Sequence, residues 1–225
     1  MSHVPASKVA GALRTNRETH CQDLSSYFTL DYTGSHFEFL PGCTDRVSAM
    51  NEIMADDILA TTLLGVNFPG TAVLELLEGS AGTLVATQLA LIPFDQDLHS
   101  FSSNPIGVDS PAWVAWNVIA GLDDVKRTKT SKLLARKRPR LLPMLDDVVV
   151  CALKLGDTEA WKGIYEILTD NDVSVVGELL AIQTLASPNH PRIAELSLLR
   201  VLDIVVWMEH KQDHSRKSHK PSAFE

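Results

Sequence analysis

From residue 55 to residue 210 the chain is cut by Gly and Pro into apolar pieces of helix length, and this punctuation is the strongest constraint on its fold. "ADDILATTLLG" (55–65) has Asp56 where an N-cap belongs and closes on Gly65, and "TAVLELLEG" (71–79) starts on Thr71 and stops on Gly79. "AGTLVATQLALIP" (81–93) is apolar nearly all round, the mark of a buried helix. "SPAWVAWNVIAG" (110–121) carries the fullest set of signals. Ser110 sits at the N-cap, Pro111 at the first helical position and Gly121 just past the end. A basic helix follows over 128–137, limited by Pro139. Helices over 143–156, 157–168, 172–186 and 192–210 complete the set, with Asp157 and Asp172 as caps and "SPNHP" (187–191) between the last two. The expected fold class is mainly α.

The front of the chain reads differently. Residues 1–22 are polar and carry no assigned period, so they are expected to form a flexible arm. "YFTLDYTGSHFEFL", beginning at Tyr27, mixes aromatic and β-branched residues around a Thr-Gly-Ser turn signal. It predicts a small extended or β segment near the N-terminus, ended by "PGC" at 41–43. Residues 23–210 are expected to form a single mainly helical domain, its halves meeting at the Ser-, Asn- and Pro-rich stretch 94–110, with a disordered tail over 211–225.

Length and composition exclude several classes. No apolar run reaches the roughly 20 residues of a membrane helix, and Arg14 and Arg17 interrupt the first 20 residues, so a cytoplasmic protein without membrane contact is expected. Cys21, Cys43 and Cys151 are odd in number and widely spaced, which predicts reduced thiols. No metal and no cofactor are expected: phosphate loop, paired cysteines and nucleophile elbow are all missing, and His210, His214 and His219 fall in the polar tail.

Charge is the second constraint. The chain carries 20 Lys and Arg against 28 Asp and Glu, a net of −8. Eight of those cations, Lys126, Arg127, Lys129, Lys132, Arg136, Lys137, Arg138 and Arg140, lie within residues 126–140 with no acid among them, leaving 12 against 28 elsewhere. Such a protein does not coat nucleic acid with its whole surface, but a local patch can meet a phosphate backbone. A helix start exposes unpaired N–H groups and the positive end of the helix dipole. Here it is surrounded by Lys126, Arg127 and Lys129, with Thr128, Thr130 and Ser131 as hydroxyl donors. The predicted contacts to DNA backbone are Lys126, Arg127, Lys129, Thr130, Lys132, Arg136, Lys137 and Arg138. The alternatives are a solvated face or a dock for an acidic protein partner.

"AGLDDVKRTKTSKLLARKRPRLLPMLDDVV" (120–149) resembles the helix-hairpin-helix element of the DNA-glycosylase superfamily. "SKLLARKRPRLLPMLDDVV" is similar to bacterial proteins of 8-oxoguanine-DNA-glycosylase fold and to an actinobacterial family of unknown function related to them. "YTGSHFE" (32–38) and "LSLLRVLDIVVWM" (196–208) look like the N-terminal motif and C-terminal helix of that family. The resemblance implies a helix-hairpin-helix glycosylase-like helical architecture and DNA as partner. It also implies Asp146 as the counterpart of the active-site carboxylate, or Asp147 if the register slips by one, with Lys129 or Lys132 proposed as a nucleophile. The two hairpin glycines of the superfamily are replaced here by Asp124 and Lys126.

Each candidate has a plainer reading. Asp146 and Asp147 open an apolar helix, where carboxylates cap free N–H groups. His36 and Glu38 flank Phe37 and would share one face of an extended segment, as an acid-base pair or as a tie within a turn. Arg200 and Asp203, three apart on an apolar helix, suit a buried ion pair. Trp113, Trp116, Trp161 and Trp207 fall at helical core spacing.

Overall fold

The computed structural model describes residues 3–29, 32–40, 49–156 and 159–214. Eleven α-helices and no strand occur among them. Contacts divide the chain into two compact units, one formed by Met1–Tyr32 with Leu145–Glu225 and the other by Thr33–Met144. The stretch 94–110 is therefore internal to the second unit, where it is anchored by buried Leu98 and Ile106 and by the bond from Leu98 N to Arg140 O at 2.9 Å.

The first unit holds α1 (Ala6–Thr15), α2 (Arg17–Thr29), α8 (Asp147–Ala152), α9 (Ala160–Thr169), α10 (Val175–Ala186) and α11 (Leu198–His214). The expected N-terminal arm is thus two helices. Ala6, Val9, Ala10 and Leu13 recur at helical spacing on α1 and are buried, packing against α9 and α10. On α2 the buried set is His20, Leu24, Ser25, Tyr27 and Phe28, again one face of a 3.6-residue period. Tyr27 and Phe28 therefore belong to a helix, and no strand occurs among the described residues of the expected extended segment. Their β-forming chemistry yields to packing against α10, α11 and the ring of Trp207.

Helix α11 is the centre of this unit. Residues 199–206 are buried without a break, and α2, α8 and α10 pack around them. Arg200 and Asp203 form the expected ion pair inside, and Arg200 also donates to the Tyr27 hydroxyl at 3.0 Å. The α1–α2 junction is tied to α10 by Arg14 and Arg17, both of which donate to Glu178. Burial would raise the Glu178 carboxyl, but hydrogen bonds and charge from Arg17 and Arg14 outweigh it and hold the group below its ordinary 4.5.

His20 supplies a pH prediction. Its ring is 1% exposed, and burial pushes the imidazole down from 6.5 to about 4. Between those values the unfolded chain binds the proton and the folded chain does not, so stability rises with pH across this window and is lost as pH falls through it. The expected loss from His20 between pH 7 and pH 4 is at most about 3 kcal/mol. Glu178, with its lowered carboxyl, adds a further loss at lower pH. Urea midpoints read from tryptophan emission should show the decline between pH 6.5 and 4 flattened in His20→Leu. Equal slopes in both proteins would refute the assignment.

The second unit holds α3 (Ala55–Thr62), α4 (Gly70–Leu77), α5 (Ser80–Leu89), α6 (Pro111–Ala120) and α7 (Arg127–Lys137). Thr33–His36 form a single 3-10 turn, followed by turn bonds from Phe37 N to Gly34 O and from Phe39 N and Leu40 N to His36 O. Helix α6 starts as its sequence requires, with Ser110 Oγ accepting from Trp113 N at 3.1 Å and Pro111 at its first position. On α3 the structural carboxylate is Asp57, which accepts from Met54 N at 2.9 Å, while the expected cap Asp56 lies one residue earlier. Likewise Ser174 caps α10, where Asp172 was expected. The "PGC" stretch, Cys43, Asp157 and His219 lie outside the described residues.

Candidate nucleic-acid interface

The basic run is the central helix of the second unit. Helix α7 packs on α3 and α6, and every residue from Thr130 to Arg138 is buried. Only Leu133, Leu134 and Ala135 in that span are apolar. The remaining side chains are polar, so each needs a partner inside.

The cations find those partners mainly in backbone carbonyls. Lys132 Nζ donates to Leu64 O at 3.0 Å, just beyond the end of α3. Arg136 donates to the carbonyls of Phe37, Glu38 and Leu40 at 2.7, 2.7 and 2.6 Å, and its guanidinium lies 6.0 Å from the Phe37 ring centroid. Lys137 Nζ donates to Ala49 O at 2.9 Å and to Asp57 Oδ2 at 3.0 Å. Arg138 donates to Ile92 O and Met50 O at 2.9 Å each, to Asn51 Oδ1 at 2.6 Å and to Leu89 O. The carbonyls of Leu64, Leu89 and Ile92 stand at or just past the ends of α3 and α5, where free carbonyls concentrate the negative end of the helix dipole. Asp57 is the only fully buried carboxylate among the described residues of this unit. It pairs with both Lys137 and Arg136, the latter at 3.5 Å.

These contacts correct the predicted interface. Thr130, Lys132, Arg136, Lys137 and Arg138 are sealed from solvent by the unit that they hold together, so they are not placed to meet a phosphate. Arg140 reaches the surface but is paired with Asp97 at 2.7 Å. What remains outward is the start of the helix: Lys126 is exposed, and Arg127, Thr128 and Lys129 are partly so.

That start is shaped by a tight hairpin. Gly121 ends α6, Val125 is buried beneath the turn, and Val125 N closes on Leu122 O at 3.0 Å. Asp124 takes a left-handed backbone, φ 53°, at one of the positions where the resemblance places glycine; Asp tolerates this region better than most residues. Lys126 is the N-cap of α7, and no side chain caps the free N–H groups there. Lys129 reaches back to Asp124 O at 2.7 Å and to its carboxylate at 3.2 Å, fixing the turn and offsetting one of its two exposed acids.

The catalytic candidates fall in different units. Asp146 belongs to the first unit, where its carboxylate caps α8 by accepting from Val148 N at 3.1 Å; Asp147 is exposed. His36 and Glu38 lie in the 3-10 turn and the loop after it, so the shared face of an extended strand does not exist. His36 is exposed, Glu38 is half-buried, and the Glu38 backbone serves Arg136. Sequence reasoning missed Asp57, whose only signal was an acidic pair at a helix start.

The fold and site together define a mainly helical protein whose basic helix is turned inward to organise one unit. The model of the family of unknown function DUF6308 matches residues 20–210, and the chain belongs to that family. No curated protein and no solved structure matches it. Among the described residues no helix is long and apolar enough to cross a membrane.

Proposed function

We propose that the chain is a cytoplasmic protein that contacts nucleic-acid backbone through a helix-hairpin-helix element made of α6, the turn 121–126 and the first turn of α7. The observation that carries this reading is the α7 N-terminus. It has no side-chain cap and is ringed by Lys126, Arg127 and Lys129, while the rest of the helix is locked inside the unit. Free N–H groups, the positive dipole end and two or three cations suit one or two adjacent phosphates without reading bases. A base-excision role would ask Asp146 to give up its capping bond to Val148 N.

A protein-docking reading has an observation of its own: a shallow groove between α4, α5 and α6, lined by Leu84, Val118 and Leu122, with Leu74 and Leu77 exposed nearby.

Fluorescence anisotropy of a labelled duplex at several salt concentrations separates them. Wild type should bind with a log–log salt slope of about −1 to −2, as expected for one or two phosphate contacts. Lys126→Glu/Arg127→Glu should abolish that binding with its circular dichroism unchanged. No binding by wild type at low salt would overturn the nucleic-acid reading and leave the groove as the surface to test.

A further inference from the structure

We infer that Cys151, His210 and His214 form a binding site for a zinc-class divalent cation. Cys151 lies near the end of α8, and the two histidines lie on the last turns of α11, four residues apart and therefore on one face. The helix continues to His214, into a region that composition assigned to a disordered tail. One ligand atom from each residue lies within 4.8 Å of the others.

The spacing matches a metal's requirements. With Zn–S near 2.3 Å and Zn–N near 2.0–2.1 Å, a tetrahedral site needs sulfur and nitrogen about 3.6 Å apart and two nitrogens about 3.3 Å apart. Cys151 Sγ and His210 Nε2 are 3.4 Å apart, and the two imidazole centroids are 6.0 Å apart. Side-chain rotations that move the ligand atoms by about 1 Å would close the set.

The donor set selects the ion. One sulfur and two imidazole nitrogens suit zinc and its neighbours in the transition series, whereas magnesium and calcium require oxygen. His210 is 1% exposed, while Cys151 and His214 are half-buried, so the ion has a route in and three protein ligands leave one position for water. On binding, the Cys151 S–H bond breaks, the thiolate keeps the electron pair for the metal, and the proton passes to solvent.

Cobalt supplies the test, because a thiolate bound to Co²⁺ gives an intense near-ultraviolet charge-transfer band. The full chain, stripped of metal and titrated with Co²⁺, is expected to bind one equivalent with that band and to lose it when Zn²⁺ is added. Cys151→Ser should abolish the band. His214→Ala, at the half-buried helix end where the fold is least exposed to damage, should weaken binding by about tenfold or more. Cys21→Ser should leave both unchanged. Absence of saturable binding near one equivalent would overturn the site. So would a thiolate band that survives in Cys151→Ser, or an affinity unchanged by His214→Ala.

Discussion

Asp57→Ala is expected to lower the stability of the 33–144 unit by about 3–5 kcal/mol, a large part of what a domain of this size possesses. The carboxylate is fully buried and faces Lys137 at 3.0 Å and Arg136 at 3.5 Å, so its removal strands two cations that cannot reach water. The α3 start also loses the bond that Met54 N donates. Trp113 and Trp116 stack within this unit, and in a Trp161→Phe/Trp207→Phe background their emission reports its unfolding in urea. Adding Lys137→Met to Asp57→Ala should recover part of the loss, because one stranded charge is removed. An unchanged midpoint in Asp57→Ala would mean that the network does not hold the unit.

Arg138→Met should be at least as damaging. The substitution keeps much of the stem but withdraws the donors that serve Leu89 O, Ile92 O, Met50 O and Asn51 Oδ1. Leu89 O keeps its bond from Ile92 N, but Ile92 O is buried and the Met50 and Asn51 oxygens are partly so; at about 1–3 kcal/mol for each acceptor left without a donor, a loss of about 4 kcal/mol or more is expected. Arg138→Lys should recover less than half of it, because one ammonium cannot span acceptors on both sides of a planar fork. Limited proteolysis gives a local check: cleavage near Leu91 and Phe94 should accelerate in Arg138→Met and stay slow in wild type. Wild-type-like resistance in the variant would show that Arg138 does not anchor the 89–92 loop.

The helical string from α3 to α11 was legible because Gly, Pro and capping residues mark its ends. Ser110 and Asp146 sit where local chemistry requires them. Arg200 and Asp203 were legible as a pair because three-residue spacing on an apolar helix leaves few other arrangements. Helix α1 was missed although Ala6, Val9, Ala10 and Leu13 carry its period, since Ser7, Lys8 and Gly11 break up a short run of small residues. Helix α2 was missed because Tyr27 and Phe28 suit a strand in isolation, and only packing decides between the two. The inward turn of the basic helix could not be read locally. Its partners are carbonyls at 37–40, 49–50, 64 and 89–92, and a carbonyl leaves no mark in the sequence. Cys151 with His210 and His214 was hidden for a related reason, because 59 residues separate a cysteine from the histidine it meets.

The division of the basic run into an inward scaffold and an outward start is the centre of this account, and lysine acylation of the native protein tests it most directly. After brief treatment with an amine-reactive ester, mass spectrometry compares Lys126, which is exposed, with Lys132 and Lys137, which are 5% and 1% exposed. Lys126 is expected to label at the rate of an open lysine and Lys137 more than about tenfold slower, limited by opening of the unit, with all three equal in denaturant. Labelling of Lys132 and Lys137 as fast as Lys126 in the folded protein would contradict it.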